Sequence, residues 1–473
     1  MPSLRFGAAH PVPVPLQQGL AQLRGSLGVA DDFPPDVLAE AEAAASAVVL
    51  PDADRTDLEL VTIDPPGARD LDQALHIARS GEGFVVHYAI ADVAAFVRPD
   101  GAIDRECRRR GVTLYAPHAR TPLHPPVLSE DAASLLPNEV RPALLWELTL
   151  DADGRLTGTG LARARVRSRA QLTYAEVQAD IDAGTAAEPL RLLKTVGELR
   201  LALEAERGGV NLPTPEQEVV ARGGGWELEF RTTLPVEEWN AQISLLTGMA
   251  AAQLMLTGDV GILRTLPPAE KGDLERLRRV AKALRLPWPG SVSYPEFVRS
   301  LDPAVPTHAA MLNAATRLFR GAGYVAFEGS PPEPAQHAAI AEHYTHCTAP
   351  LRRLVDRYSS EVCLALCAGR PVPEWVLSAL PDLPQAMAAA DSKAKRFERG
   401  IVNLVEALVL EPHVGQSFIG TVVEADKRGG GVVQIAEPAV EARAGGALKL
   451  GEEARVHLDS VDLTAGSVRF SAE

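Results

Sequence analysis

Three aspartates could do chemistry together. Asp64, Asp70 and Asp72 fall at spacings of six and two in the run Thr62-Ile63-Asp64-Pro65-Pro66-Gly67-Ala68-Arg69-Asp70-Leu71-Asp72-Gln73. Residues 60–63 read as a strand ending at Asp64, and Pro65-Pro66-Gly67 breaks it. A tight loop there can fold three carboxylates toward one point, where they repel one another unless a cation sits among them. Hard oxygen donors select Mg2+ or Mn2+. Taken alone, the spacing is better read as a turn rich in capping aspartates.

Other reactive side chains carry weaker signals. His343 and His346 beside Cys347 invite a zinc reading, but the group lacks finger spacing and a fourth ligand, so packing is preferred. Ser129, Cys107 and Cys347 have no triad context. Without a Walker loop, ATP is not expected as a cofactor.

The elements that position these residues change along the chain. Leu16, Leu20, Leu23 and Leu27 recur at helical spacing. Pro34-Pro35 opens a second helix through Val37, Leu38, Ala41, Ala45 and Val48, with Asp32 at its N-cap region. Residues 1–57 are therefore read as a helical region, a packing cap rather than a helix-turn-helix-like module, because no basic recognition helix is evident. Strands are predicted at 60–63, 74–78, 84–91, 143–150 and 158–167, then helices at 174–207, 237–256, 274–284, 309–319 and 351–367. This is an α+β chain, with a large mixed α/β domain over 58–411 whose strands come early and helices late. Residues 412–473 hold five short strands with Gly-rich turns, the pattern of a small OB barrel.

Composition narrows the class. The 473 residues carry a formal net charge of -15, which excludes a globally basic nucleic-acid coat but not a local basic groove. Four cysteines without a CxxC pair point to a reducing cytoplasm rather than a disulfide framework. Prolines in residues 1–24 stand where a signal peptide would need an apolar run. The uncharged stretch 239–258 contains Asn240, Gln242, Ser244, Thr247 and Gln253, which favours a buried helix over a membrane span.

The motifs taken in order resemble the ribonuclease II family. Its metal loop is D-x5-D-x-D-D, matched at Asp64, Asp70 and Asp72. His87-Tyr88-Ala89-Ile90-Ala91-Asp92-Val93 resembles the next strand. Leu128-Ser129-Glu130-Asp131 and Ser134-Leu135-Leu136-Pro137-Asn138-Glu139 resemble the following block. Val236-Glu237-Glu238 opens the central helix, and Tyr344-Thr345-His346-Cys347-Thr348-Ala349-Pro350-Leu351-Arg352-Arg353 is similar to Y-T-H-x-T-S-P-I-R-R. The resemblance covers 58–411, and the tail resembles a ribosomal-protein-type OB domain. Such chains normally begin with two cold-shock barrels, which residues 1–57 are too few to hold.

The resemblance implies a processive, metal-dependent 3′-to-5′ exoribonuclease that hydrolyses single-stranded RNA to nucleoside 5′-monophosphates, working as a cytoplasmic monomer without a membrane. Asp64, Asp70 and Asp72 match ligands or ligand-orienting groups for Mg2+, with Mn2+ an option. Arg352 matches an arginine near the scissile phosphate, with Arg353 beside it on the RNA. Without the motif, Arg352 reads as a surface salt bridge. Tyr115 matches the tyrosine that stacks on the 3′-terminal base, where a core tyrosine is the plainer reading. Leu212 falls where a second clamp aromatic is expected. Glu237 matches a glutamate beside the terminal nucleotide, and Glu398 another acidic residue. Gln73 replaces the usual fourth aspartate; its carbonyl can still ligate a cation, without charge. Gln73 also motivates a different reading, a catalytically impaired RNA-binding protein on the same scaffold. A third reading is an exonuclease acting on single-stranded DNA.

Overall fold

A computed structural model describes residues 5–6, 14–30, 32–116, 119–212, 216–222, 225–231, 233–333, 335–426 and 429–473. The aspartate loop lies in a barrel. Strands Leu60–Asp64, Gln73–Ser80, Gly83–Ala91, Val140–Leu150 and Leu156–Thr173 close on themselves. The middle strands form antiparallel ladders, with Gln73 opposite Ile90 and Ala91 opposite Ala143. The 18-residue Leu156–Thr173 strand then curls round to pair in parallel with Leu60–Asp64. Its buried residues Leu161, Ala164 and Val166 join Leu60, Ile77, Val86, Ile90 and Trp146 in the main core. Alternation places Leu161, opposite Trp146, on one face of the sheet and Ala164 and Val166 on the other, so the core extends over both faces.

This closed barrel is more than the sequence pattern predicts. The strands are where they are expected, but the parallel closure joins segments about a hundred positions apart and leaves no local periodic trace. The predicted helix over 174–207 is in fact two, Tyr174–Ala183 and Glu188–Glu206. Gly184 ends the first in a left-handed conformation, φ 72°, which favours glycine. Strands are not confined to the early part either, since Val260–Thr265 pairs with Gly323–Glu328. The helix Pro35–Ser46 follows Pro34 with no side-chain cap. Asp32 does not cap it, and its backbone carbonyl accepts instead from Arg110 NH2 at 2.9 Å.

Two helices pack on each other and on the Leu156–Thr173 strand. Pro235–Thr257 and Leu354–Cys367 are buried over much of their surfaces. The uncharged 239–258 stretch lies in the first, and no helix among the described residues is long and apolar enough to cross a membrane. A second cluster unites the Val14–Leu27 helix (Leu16, Leu20), the long Leu383–Leu410 helix (Phe397, Ile401, Val405) and the C-terminal strands. Those strands, Ser417–Ala425, Gly431–Ile435, Val440–Gly445, Glu453–Asp462 and Ser467–Ala472, close the expected five-stranded barrel. A third cluster packs helices Lys271–Ala283 and Pro306–Ala315 against Val423 of that barrel.

Gly248 sets how closely the Pro235–Thr257 helix meets the segment that leads to Arg352. A Cβ there would lie 2.1 Å from Tyr344 Cε2 and 2.5 Å from the Thr345 carbonyl oxygen. Backbone cannot yield as a side-chain tip does, so Gly248→Ala should destabilise the fold by roughly 1–3 kcal/mol. Chemical denaturation of both proteins checks this; an unchanged midpoint would mean that the helix and segment separate freely.

Candidate active site

The loop between the first two barrel strands is pinned before any ligand arrives. Ser134 Oγ donates to the Arg69 carbonyl at 2.6 Å and accepts from the Leu71 amide at 3.0 Å. Leu135 N donates to Leu71 O at 3.0 Å, and Ala91 N to Asp72 O at 2.9 Å. The Ser134 block thus holds the turn from which Asp70 and Asp72 project.

Asp72 meets the 344–353 segment across the chain. It is 3% exposed. Its Oδ1 accepts from Leu351 N at 2.8 Å, and its Oδ2 lies 3.5 Å from Arg352 Nε. Arg352 itself is half-exposed, free to present its remaining donors outward. Burial pushes the Asp72 carboxyl up to about 8, against the pull of Arg352. Burial likewise raises Asp64 to about 6. Asp64 Oδ2 is buried without a hydrogen-bond partner.

Tyr115 and Arg120 face each other across the hairpin Leu114–Ala116 and Ala119–Thr121. Tyr115 is 44% exposed, yet its hydroxyl donates to Asp70 Oδ2 at 3.1 Å. It is therefore not a core tyrosine. Thr113 N donates to the Arg352 carbonyl at 2.9 Å, and Leu354 N to that of Gly111 at 3.0 Å. The hairpin is in this way tied to the arginine segment. The structure brings Asp64, Asp70, Asp72, Tyr115 and Arg352 together.

The remaining expected residues sit differently. Gln73 Nε2 donates to the Thr348 carbonyl at 2.5 Å, a bond that an aspartate cannot make. The amide therefore has a structural use at this position. Arg353 does not reach outward as expected of an RNA contact. Its Nε and NH2 grip Asp356 at 2.5 and 2.8 Å, while Ala349 N also donates to Asp356 at 2.7 Å. Glu237 receives Arg231 NH2 at 2.7 Å and Leu234 N at 2.8 Å, at the start of its helix. Leu212 packs beside the third apolar cluster, and Glu398 follows buried Phe397 on the long helix. His346 is half-buried with Nδ1 2.6 Å from the Tyr324 hydroxyl, and His343 lies by Glu342, which is packing rather than a zinc set.

Among the described residues no three His, Cys, Asp or Glu side chains are gathered tightly enough to hold a metal ion. The chemistry of the donors nevertheless fits a hard divalent cation. Asp64 holds a buried carboxylate oxygen without a hydrogen-bond partner, Asp72 is desolvated with Arg352 alone beside its second oxygen, and all the donors are oxygens. Ser134, Glu130, Asp356 and Arg120 are supports that sequence reasoning did not single out. Glu130 and Ser134 lie inside motif blocks, but nothing in their spacing announces a partner in the aspartate loop.

Comparison with known proteins shows the family and the fold. The RNB domain profile matches residues 53–365, and the RNase II-type exonuclease C-terminal S1 domain matches 416–473. Ribonuclease R of Mycoplasma pneumoniae is 28% identical over 396 residues, 78% of this chain and 53% of that protein. The chain spans about half the length of the curated relatives it matches. Mycoplasma genitalium RNase R in complex with ribose methylated single-stranded RNA superposes with a TM-score of 0.87 at 20% identity, covering 97% of this chain and 78% of that one. Yeast Ssd1, a pseudonuclease, superposes with a TM-score of 0.68 at 17% identity, over 85% of this chain and 51% of that one.

The raised carboxyls set a pH dependence. In metal-free protein the fold binds protons on Asp64 and Asp72 that the unfolded chain has already lost, so their contribution to stability falls as pH rises from about 4 through 6 and 8. Asp72→Asn removes the larger of these penalties. In EDTA it should raise the melting temperature by about 2–4 °C at pH 8 and much less at pH 5. Calorimetry at both pH values checks this; an equal shift at both would show that Asp72 is not destabilised by its charge.

Proposed function

The chain belongs to the RNB-domain ribonuclease family, and on that premise we propose that it is a processive, metal-dependent 3′-to-5′ exoribonuclease that degrades single-stranded RNA to nucleoside 5′-monophosphates. The observation that carries this reading is the convergence of Asp72, Asp70, Arg352 and Tyr115, joined by the 3.5 Å approach of Arg352 Nε to Asp72 and the 3.1 Å hydrogen bond from Tyr115 to Asp70.

Each side chain has a distinct task in the proposed reaction. The exposed face of Tyr115 stacks on the 3′-terminal base without regard to its identity. Arg352 offers its outward donors to the oxygens of the terminal phosphodiester, where negative charge grows. Leu351 N fixes Asp72 so that its second oxygen faces the same space. Asp64, Asp70 and Asp72, with the Gln73 carbonyl, would hold Mg2+ or Mn2+, which activates the attacking water and stabilises the phosphate charge. Residues 58–411 are the catalytic part in this reading. The barrel in 412–473 holds the strand farther from its 3′ end, and residues 1–57 act as a packing cap. The protein works as a cytoplasmic monomer and needs no ATP.

One observation favours a second reading, an RNA-binding protein with little turnover. Gln73 replaces an acid and Asp70 is occupied by Arg120 and Tyr115, on a fold shared with a pseudonuclease. A 5′-labelled RNA with a 3′ overhang separates the two. In Mg2+ it should shorten stepwise from the 3′ end with release of nucleoside 5′-monophosphates, and EDTA should stop this. Binding without release of mononucleotide would establish the second reading. Matched single-stranded DNA, run in parallel, should persist if the 2′-hydroxyl is sensed.

Asp72→Asn should lower the single-turnover rate at least about 100-fold while RNA affinity changes little, because binding is spread along the strand. Near-normal cleavage would dismiss the carboxylate assignment. Tyr115→Ala should leave longer residual oligonucleotides, since loss of one stacking partner costs roughly 1–3 kcal/mol at the 3′ end. Electrophoresis of the end products reads this, and an unchanged end length would remove Tyr115 from the RNA path.

A further inference from the structure

Among the described residues, Arg120 is the one basic side chain that joins Asp70 from the hairpin. Its Nε lies 2.9 Å from Glu130 Oε1 and its NH2 2.8 Å from Glu130 Oε2, a two-pronged grip. The remaining corner, NH1, reaches Asp70 Oδ1 at 2.5 Å. Tyr115, directly across the hairpin, takes Asp70 Oδ2. Both oxygens of Asp70 are therefore engaged by this one hairpin, whereas Asp64 keeps a buried oxygen unpartnered. The pair is partly desolvated, with Arg120 24% and Asp70 14% exposed, so it is held more firmly than a surface ion pair.

A divalent cation approaching Asp64 and Asp72 needs negative charge that Asp70 has already committed to a guanidinium. We propose that Arg120 is the resident counter-cation of the carboxylate cluster, a positioning residue from which a divalent cation must take Asp70. Glu130 makes the exchange feasible. When Asp70 leaves, Arg120 keeps its two-pronged partner, so no guanidinium is stranded in a partly buried place. Release of Asp70 also frees the hydroxyl of Tyr115, so cation loading and the base-stacking side chain are joined through one carboxylate. This inference rests on the metal-dependent reading proposed above.

The test is Mn2+ binding to the full chain without RNA, read from the electron paramagnetic resonance of free Mn2+ at fixed ionic strength. Arg120→Gln should bind Mn2+ roughly three- to tenfold more tightly than the parent, the worth of a partly buried ion pair. Arg120→Lys keeps the charge but cannot grip both carboxylates, so its affinity should fall between the two. Arg69→Gln is the control. It removes the same charge one residue from Asp70, where the guanidinium donates only to the Glu130 carbonyl at 3.2 Å, and should alter affinity less than about twofold. Unchanged or weaker Mn2+ binding by Arg120→Gln would overturn the proposal, as would an equal gain in Arg69→Gln, which would reduce the effect to net charge. Should Arg120→Gln fail to fold, Arg120→Lys decides alone: tighter binding supports the exchange, and equal or weaker binding refutes it. A parent protein that takes up no Mn2+ would refute the metal-dependent reading itself, and the inference with it. A parent that binds normally beside an unaltered Arg120→Gln would refute only the role of Arg120.

Discussion

Gathering like charges where water is scarce is the constraint around which this structure is arranged. Asp64, Asp70 and Asp72 repel one another, and burial makes the charges of Asp64 and Asp72 less tolerable. The fold supplies a different remedy for each. Asp72 has an amide and a guanidinium from the 351–352 turn. Asp70 has an arginine and a phenol from the hairpin. Asp64 has no hydrogen bond at Oδ2, which leaves a place that favours a positive charge. The loop cannot relax away from this arrangement, because Ser134 and the Leu71–Leu135 bond fix its path.

The same constraint explains the polar network beneath the site. Arg353 and Asp356 form a bidentate pair behind the arginine turn, and Asp356 also receives the amide of Ala349. A turn held in this way keeps Arg352 aimed outward while its neighbour is committed inward. Two adjacent arginines thus have opposite orientations, which composition and spacing alone do not reveal. Gln73 adds a bond to Thr348 on the same turn, so an amide at that position has work to do besides any contact with a cation.

Much of this was legible from the sequence. Apolar runs bounded by turn residues marked the strands of the first barrel, and Gly-rich turns marked the ends of the C-terminal strands. The aspartate spacing became informative only beside the distant Pro350-Leu351-Arg352 run, whose contact with Asp72 the structure then displays. Parallel closure of Leu60–Asp64 on Leu156–Thr173 was not legible, because pairing partners so far apart share no local pattern. Gly184 hid inside a helical pattern and split it through backbone conformation rather than polarity. Arg120 and Glu130 were not legible as a pair. Their roles come from the cross-strand register of a short hairpin, which three-residue strands scarcely encode.

The bond between Leu351 and Asp72 spans 279 positions of the chain. During synthesis at about 5–20 residues per second, the aspartate loop leaves the ribosome roughly 14–56 s before the turn that completes it. The first barrel can close earlier, once residues 168–173 are available to pair with 60–64. Until residues 351–352 emerge, Asp72 is without the amide and the guanidinium that partner it in the finished fold. Arg120 lies 50 positions from Asp70, so it emerges well before the distant turn. The guanidinium paired with Asp70 in the finished fold is thus present in the nascent chain long before Arg352 is.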